Sequence, residues 1–194
     1  MNIRAKLTPA QHMTIEEFLA FYDTRPKGEK WELIEGVAVM SPTPVEHHQV
    51  IVANICHYLI AHKIKHKATW IAMPGVGTRV PVAQTSLPEP DIFVKATPAT
   101  DRSITEDALV IIEVLSRSNT KADRAWRKRV YASVPNCQHY VTVSMKKPLV
   151  EVFDRATDWK DRLIEDIDAA AALPAIGLSI PLEDIYRWTP LERA

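Results

Sequence analysis

Cysteine is scarce in this chain: Cys56 and Cys137 are the only two among 194 residues. Two thiols cannot form a disulfide framework, and no cysteine-histidine cluster has the spacing of a zinc site. Both are expected to be reduced, partly buried thiols of a cytosolic protein. Net charge is also missing, since 24 Lys and Arg balance 24 Asp and Glu. A nucleic-acid partner therefore gains nothing from global charge and would need a local basic patch. The longest useful apolar run, 108–112, is far too short to span a bilayer, so no membrane role is expected. No apolar stretch follows the first charges, which argues against a signal peptide. No internal repeat, low-complexity segment or linker divides the chain. What remains is 46% hydrophobic and 25% charged, the composition of one soluble globular domain over residues 1–194.

Local patterns predict an α/β protein. Thr14-Ile15-Glu16-Glu17 reads as a capping box, with a hydroxyl at the cap and a carboxylate three residues on, opening a short helix to about Tyr22. Residues 31–34 and 37–40 alternate around Glu35-Gly36, which predicts a β-hairpin. From Glu46 to about Lys65 the period becomes helical. His48, Val52, Ile55 and Leu59 share one face, with Ile51 and Tyr58 beside them. Strands are expected at 68–72, 77–82, 91–94 and 108–115, then a helix from about Thr120 to Ala132, then strands at 139–143, 149–153 and 159–165. The remainder has loop character. This order suggests one mixed β-sheet with helices packed on it.

Residues 108–115 are the most informative. Seven of the eight are apolar, the pattern of a central strand covered on both faces. Glu113 sits near its end, where a carboxylate must be paired, hydrogen-bonded, protonated or bound to a metal. Asp91 opens another hydrophobic strand directly after Pro90. Each alone has an ordinary explanation: a strand-end Glu reaching solvent, or an Asp closing a turn. Together, on neighbouring strands, they would repel unless a proton or cation lay between them. Mg²⁺ or Mn²⁺ meets that need, because both favour oxygen ligands and keep positions open for water. Glu32 is a possible third carboxylate, although an outward position on the hairpin explains it equally well. His48 shares its face with apolar residues, as a boundary histidine would, and His47 reads as solvated.

In sequence order, Trp31-Glu-Leu-Ile-Glu-Gly36, Met40-Ser-Pro42, His48-Gln49, Pro90-Asp91-Ile92, Glu113-Val-Leu-Ser116, Asp123 and Tyr131 form a pattern. That pattern resembles the putative restriction endonuclease domain family of the PD-(D/E)XK nuclease superfamily. Residues 176–186 resemble the tail of one branch, so the likeness runs from about residue 14 to 186. It implies a restriction-endonuclease-like mixed sheet flanked by helices, and metal-dependent hydrolysis of nucleic-acid phosphodiester bonds, with DNA the expected polymer. It carries over Asp91 and Glu113 as ligands of Mg²⁺ or Mn²⁺, the Val114 carbonyl as a further ligand, and Glu32 and His48 as additional active-site candidates. It also implies a homodimer, because cutting both strands usually takes two sites.

Two departures qualify the resemblance. The superfamily lysine two residues after the second acid is Leu115 here. The family resembles enzymes in which that lysine has moved to the next helix, four residues after an Asp and four before a Tyr. In this chain that position is Arg127, between Asp123 and Tyr131. Arg117 stands where the family usually has proline. Arginine cannot serve as a general base, but it can stabilise a transition state, and Arg127 is assigned to the site in that role. Helical spacing predicts a buried stripe of Ala122, Trp126 and Val130, with Asp123 and Arg127 flanking it as an i,i+4 pair. Lys121, Arg124 and Lys128 should point to solvent. These cations, with Arg117, Arg129 and the segment Lys63, Lys65 and Lys67, suit a phosphate backbone. Two other readings remain open: a catalytically impaired nucleic-acid-binding protein, and an interaction protein with no nuclease activity.

Overall fold

The computed structural model describes residues 12–75, 77–78, 84–101, 104–116 and 119–192. Helix α1 (Ile15–Asp23) opens with the expected capping box: Thr14 accepts from the Glu17 N–H, and the Glu17 carboxylate accepts from the Thr14 N–H. Strands β1 (Lys30–Ile34) and β2 (Val37–Ser41) form the hairpin. Its two turn residues, Glu35 and Gly36, both have positive φ, 49° and 80°. That conformation matches the twist of a tight hairpin, and Gly36 tolerates it without cost. Helix α2 (Glu46–His66) follows, with His48, Ile51, Val52, Asn54, Ile55 and Leu59 buried.

Next come β3 (Ile71–Pro74), β4 (Gly77–Thr78), β5 (Ile92–Lys95), β6 (Ile104–Thr105) and β7 (Val110–Leu115). After helix α3 (Lys121–Ala132) come β8 (His139–Ser144), β9 (Val150–Asp154) and β10 (Lys160–Ile164). The chain then adds β11 (Ala170–Leu173), β12 (Leu178–Pro181) and the short α4 (Leu182–Ile185). Six strands form the central sheet in the order β10-β9-β8-β7-β5-β3. Only β7 and β8 run parallel within it. A parallel neighbour needs a crossover, and α3 provides it.

Alternation along β7 divides its side chains between two cores. Val110, Ile112 and Val114 join α2 and the C-terminal segment, whereas Ile111 packs with Val130, Tyr131 and Tyr140 under α3. Glu113 follows the alternation of Ile111 and so emerges beside α3. A third cluster, with Ile15, Phe18, Trp31, Leu33 and Leu87, holds the hairpin and α1 together. Leu33 and Leu87 exchange backbone hydrogen bonds, which ties the hairpin to the chain leading into β5.

Several expectations need correction. The C-terminal stretch expected as loop contains the β11–β12 hairpin and α4, with Leu173, Ile176, Leu178, Ile180, Leu182, Ile185 and Tyr186 in the core. The short β6 had no expected counterpart. The strand expected at 68–72 begins at Ile71. Of the strand expected at 77–82, Gly77–Thr78 is present and residues 79–82 lie outside the described residues, as does Arg117. Cys56 is half-buried and Cys137 buried, both as free thiols. Among the described residues no helix is long and apolar enough to cross a membrane.

Candidate active site

The β5–β7 register pairs Ile92 with Ile112. One further step sets Asp91 across from Glu113, so the two carboxylates occupy neighbouring strand ends. Asp91 Oδ2 accepts a 2.8 Å hydrogen bond from the Val114 N–H, which fixes the Asp91 carboxylate against the end of β7. His48 Nε2 lies 3.4 Å from the same oxygen. Its Nδ1 is buried without a hydrogen-bond partner among the described residues. His47, expected to be solvated, is half-buried.

Arg127 binds the second carboxylate and a third. Its Nη1 donates to Glu113 Oε1 at 2.8 Å and to the Tyr131 hydroxyl at 3.1 Å. Its Nη2 spans both oxygens of Glu32 at 2.9 and 2.8 Å. Tyr131 donates to Glu113 Oε1 at 2.7 Å. Glu32 also accepts from the Glu89 N–H at 2.8 Å and from the Ser41 hydroxyl at 3.3 Å. Glu32, Glu113 and Arg127 are only 3%, 6% and 7% exposed. Glu32 is therefore not an outward hairpin residue. Trp31 and Leu33 turn one face of β1 to its own core, and alternation sends Glu32 the other way, into α3.

The stripe expected on α3 is displaced. Arg127, Val130 and Tyr131 are its buried residues, Trp126 is half-buried, and Ala122 is exposed. The buried face of α3 includes the charged Arg127 beside Val130 and Tyr131, so apolar spacing alone points one step away from it. Asp123 caps the helix with Thr120. Arg124 and Lys128, expected to reach solvent, lean on the sheet. Arg124 meets Glu151 at 3.2 Å, and Lys128 sits over the Phe153 ring at 4.6 Å. Lys121 is exposed as expected.

Lys30, Glu89 and Tyr131 complete the site, and sequence reasoning assigned none of them a role. Lys30 Nζ lies 3.7 Å from Asp91 Oδ1 and 3.8 Å from Glu89 Oε1. Lys30 and Glu32 share one face of β1, as strand periodicity requires. That two-residue spacing is the sequence signal that links Lys30 to Glu32.

Four carboxylates and two cations thus crowd one strand end, and their protonation differs by environment. Burial pushes the Glu113 carboxyl up, Arg127 opposes, and the charges of Asp91 and Glu32 add to the rise, leaving it at about 7. Burial also works against Glu32 and Asp91 but is outweighed. The charge and hydrogen bonds of Arg127 hold Glu32 below the usual range, and the His48 hydrogen bond with the Lys30 charge does so for Asp91. A raised carboxyl favours folding in its protonated form. Its contribution is therefore full below the unfolded value of 4.5 and is lost as pH rises through about 7. In EDTA, denaturant melts between about pH 5 and 8 should show wild type losing stability with rising pH relative to Glu113→Gln. Equal slopes in both proteins would mean that Glu113 is already ionised.

The donor set suits a hard divalent ion, being carboxylate oxygens at the mouth of a polar strand end. Among the described residues, no three or more His, Cys, Asp or Glu gather as a metal cage.

The mixed sheet, the crossover helix and the paired acids at the β5 and β7 ends define a restriction-endonuclease-like domain. A solved structure with this fold is a putative nuclease belonging to DUF820 from Anabaena variabilis. It superposes with a TM-score of 0.74 at 18% identity, covering 91% of this chain and 98% of the other. The chain belongs to the Uma2 family, described as "Putative restriction endonuclease", whose model matches residues 15–183. An uncharacterized Synechocystis protein, slr1290, is 36% identical over 103 residues, covering 50% of this chain and 53% of that relative. The chain thus spans about half the length of this curated relative.

Proposed function

We propose that this chain is a metal-dependent endonuclease that hydrolyses phosphodiester bonds of nucleic acid, with Asp91 and Glu113 holding Mg²⁺ or Mn²⁺. The observation that carries this reading is the pair itself. Two acids from adjacent strands are oriented separately, Asp91 by the Val114 N–H and Glu113 by Arg127 and Tyr131, at one polar strand end. The Val114 carbonyl would be a third oxygen donor. A divalent ion there would supply Lewis-acid activation of a phosphate oxygen and of bound water. His48 and Lys30 steady the Asp91 carboxylate. Glu32, through Arg127, keeps Glu113 in place.

Exposed Lys65, Lys67 and Lys121 would engage the phosphate backbone, with DNA the expected polymer, whereas the Lys63 ammonium is held by the Ala68 carbonyl at 2.7 Å. Such contacts weaken with salt and ignore sequence. A homodimer, which would supply the two sites that cutting both strands usually takes, would be read by light scattering. The binding-only alternative draws on one feature: Arg127 is fully engaged by protein groups and offers no terminal nitrogen to substrate.

The test is incubation of the purified protein with supercoiled, linear and single-stranded DNA and with RNA, in EDTA, Mg²⁺ or Mn²⁺. Cleavage that needs the ion supports the proposal. Salt-sensitive binding without cleavage under every condition would favour the binding protein. Neither binding nor cleavage would leave the interaction protein.

A further inference from the structure

Resting on the nuclease reading, we infer that Lys30 is the cation that contacts the scissile phosphate, the role that sequence position gave to Arg127. Arg127 is committed elsewhere. Both terminal nitrogens of its guanidinium are used on Glu113, Glu32 and Tyr131, and the side chain is buried. Reaching a phosphate would leave two buried carboxylates without their hydrogen-bonded counter-charge.

Lys30 has the opposite properties. Its side chain is 32% exposed. Its ammonium stands 3.7 Å and 3.8 Å from Asp91 and Glu89, beyond hydrogen-bonding distance. It is thus held near the acids by charge, not by a locked geometry. Four methylenes let it move toward a ligand while its Cα stays fixed on β1. The other candidate cations sit elsewhere: Arg124 on Glu151, Lys128 on Phe153, and Arg129 beside Glu35 at 3.6 Å. Lys30 is the lysine that the described structure places against Asp91.

The ligand class is a phosphodiester whose non-bridging oxygen accepts from the Lys30 ammonium. During hydrolysis a water oxygen forms the new bond to phosphorus, and the bond to the leaving sugar oxygen breaks with its electron pair. The water gives up one proton to solvent, and the leaving oxygen takes one up. Lys30 keeps its proton throughout and offsets the charge that builds on the phosphoryl oxygens.

The experiment compares wild type with Lys30→Met and Lys30→Arg by three readouts: cleavage kinetics, Mg²⁺ affinity by calorimetry, and duplex binding in EDTA across salt. Lys30→Met should lower kcat by roughly 10²–10³-fold, the scale of one lost transition-state donor. Its Mg²⁺ affinity should be unchanged or tighter, because a competing cation has gone. Its slope of log affinity against log salt should shrink by about one. Lys30→Arg should restore the slope and most of kcat. A rate loss that tracks weaker Mg²⁺ binding would overturn the proposal, as would a change in KM alone. An unchanged salt slope, or no duplex binding by wild type, would overturn it even if no cleavage is found. A reduced slope for Lys30→Met, beside a wild type that binds but never cleaves, would retain the phosphate contact and fail the nuclease reading instead.

Discussion

Arg127→Ala should destabilise the protein by roughly 3–5 kcal/mol, the usual consequence of removing one partner from a buried ion cluster. For a domain of this size, each kcal/mol moves Tm by about 2–4 °C, so the melting point should fall by on the order of 10 °C. The cause is the two carboxylates left behind. Glu32 would retain its hydrogen bonds from Glu89 and Ser41, and Glu113 its hydrogen bond from Tyr131. Neither would keep a counter-charge within the buried cluster.

Arg127→Lys should lie between, because an ammonium is a point charge and cannot span both Glu32 oxygens while holding Glu113. Adding Glu32→Gln and Glu113→Gln to Arg127→Met should recover most of the loss, since the charges needing compensation are then gone. Denaturant unfolding at neutral pH measures all of these. A loss below about 1 kcal/mol would mean the bridge contributes as little as an exposed pair. Arg127 would then be free to turn toward substrate, and the case for Lys30 would weaken.

The second large effect is on catalysis. Asp91→Asn should reduce Mg²⁺-supported cleavage by about 10²–10⁴-fold, since a metal's charge stabilisation is worth several kcal/mol and each 1.36 is tenfold. The fold should hardly notice. An Asn carbonyl can still accept from the Val114 N–H, so the melting temperature should stay within a few degrees of wild type. Calorimetry should show Mg²⁺ binding weakened in parallel with the rate. Duplex binding in EDTA should persist or tighten, because a negative charge has left the path of the phosphate. Normal cleavage by the variant would remove Asp91 from the mechanism and with it the metal site proposed for β5 and β7.

Much of the architecture was legible because it is local. Thr14 with Glu17 marks its helix start by hydrogen bonds that span three residues; Thr120 with Asp123 does the same, although helical spacing alone gave Asp123 to Arg127 instead. Glu35-Gly36 marks a hairpin through backbone angles that few residue pairs accept. The strands carrying Asp91 and Glu113 announce themselves as apolar runs, and an acid in such a run demands an explanation. The β11–β12 hairpin was missed for a local reason too: alanines and the Pro174–Ile176 turn give weak periodicity. Its burial comes from packing against α2 and the sheet.

The pairing of Asp91 with Glu113 was determined by sequence to the extent that two acids on buried strands must be reconciled with one another. Which cation reconciles them was not. Alternation shows that Lys30 and Glu32 face one way and Trp31 and Leu33 the other, yet it cannot say what covers each face. That was decided when Leu33 docked on Leu87 and carried the hairpin beside α3. The same docking buried Glu32 against Arg127, which locked the arginine inward and left Lys30 at the opening. Helix and strand periods come from backbone geometry and are written in neighbouring residues, whereas the burial of a charge depends on partners brought together by the whole fold.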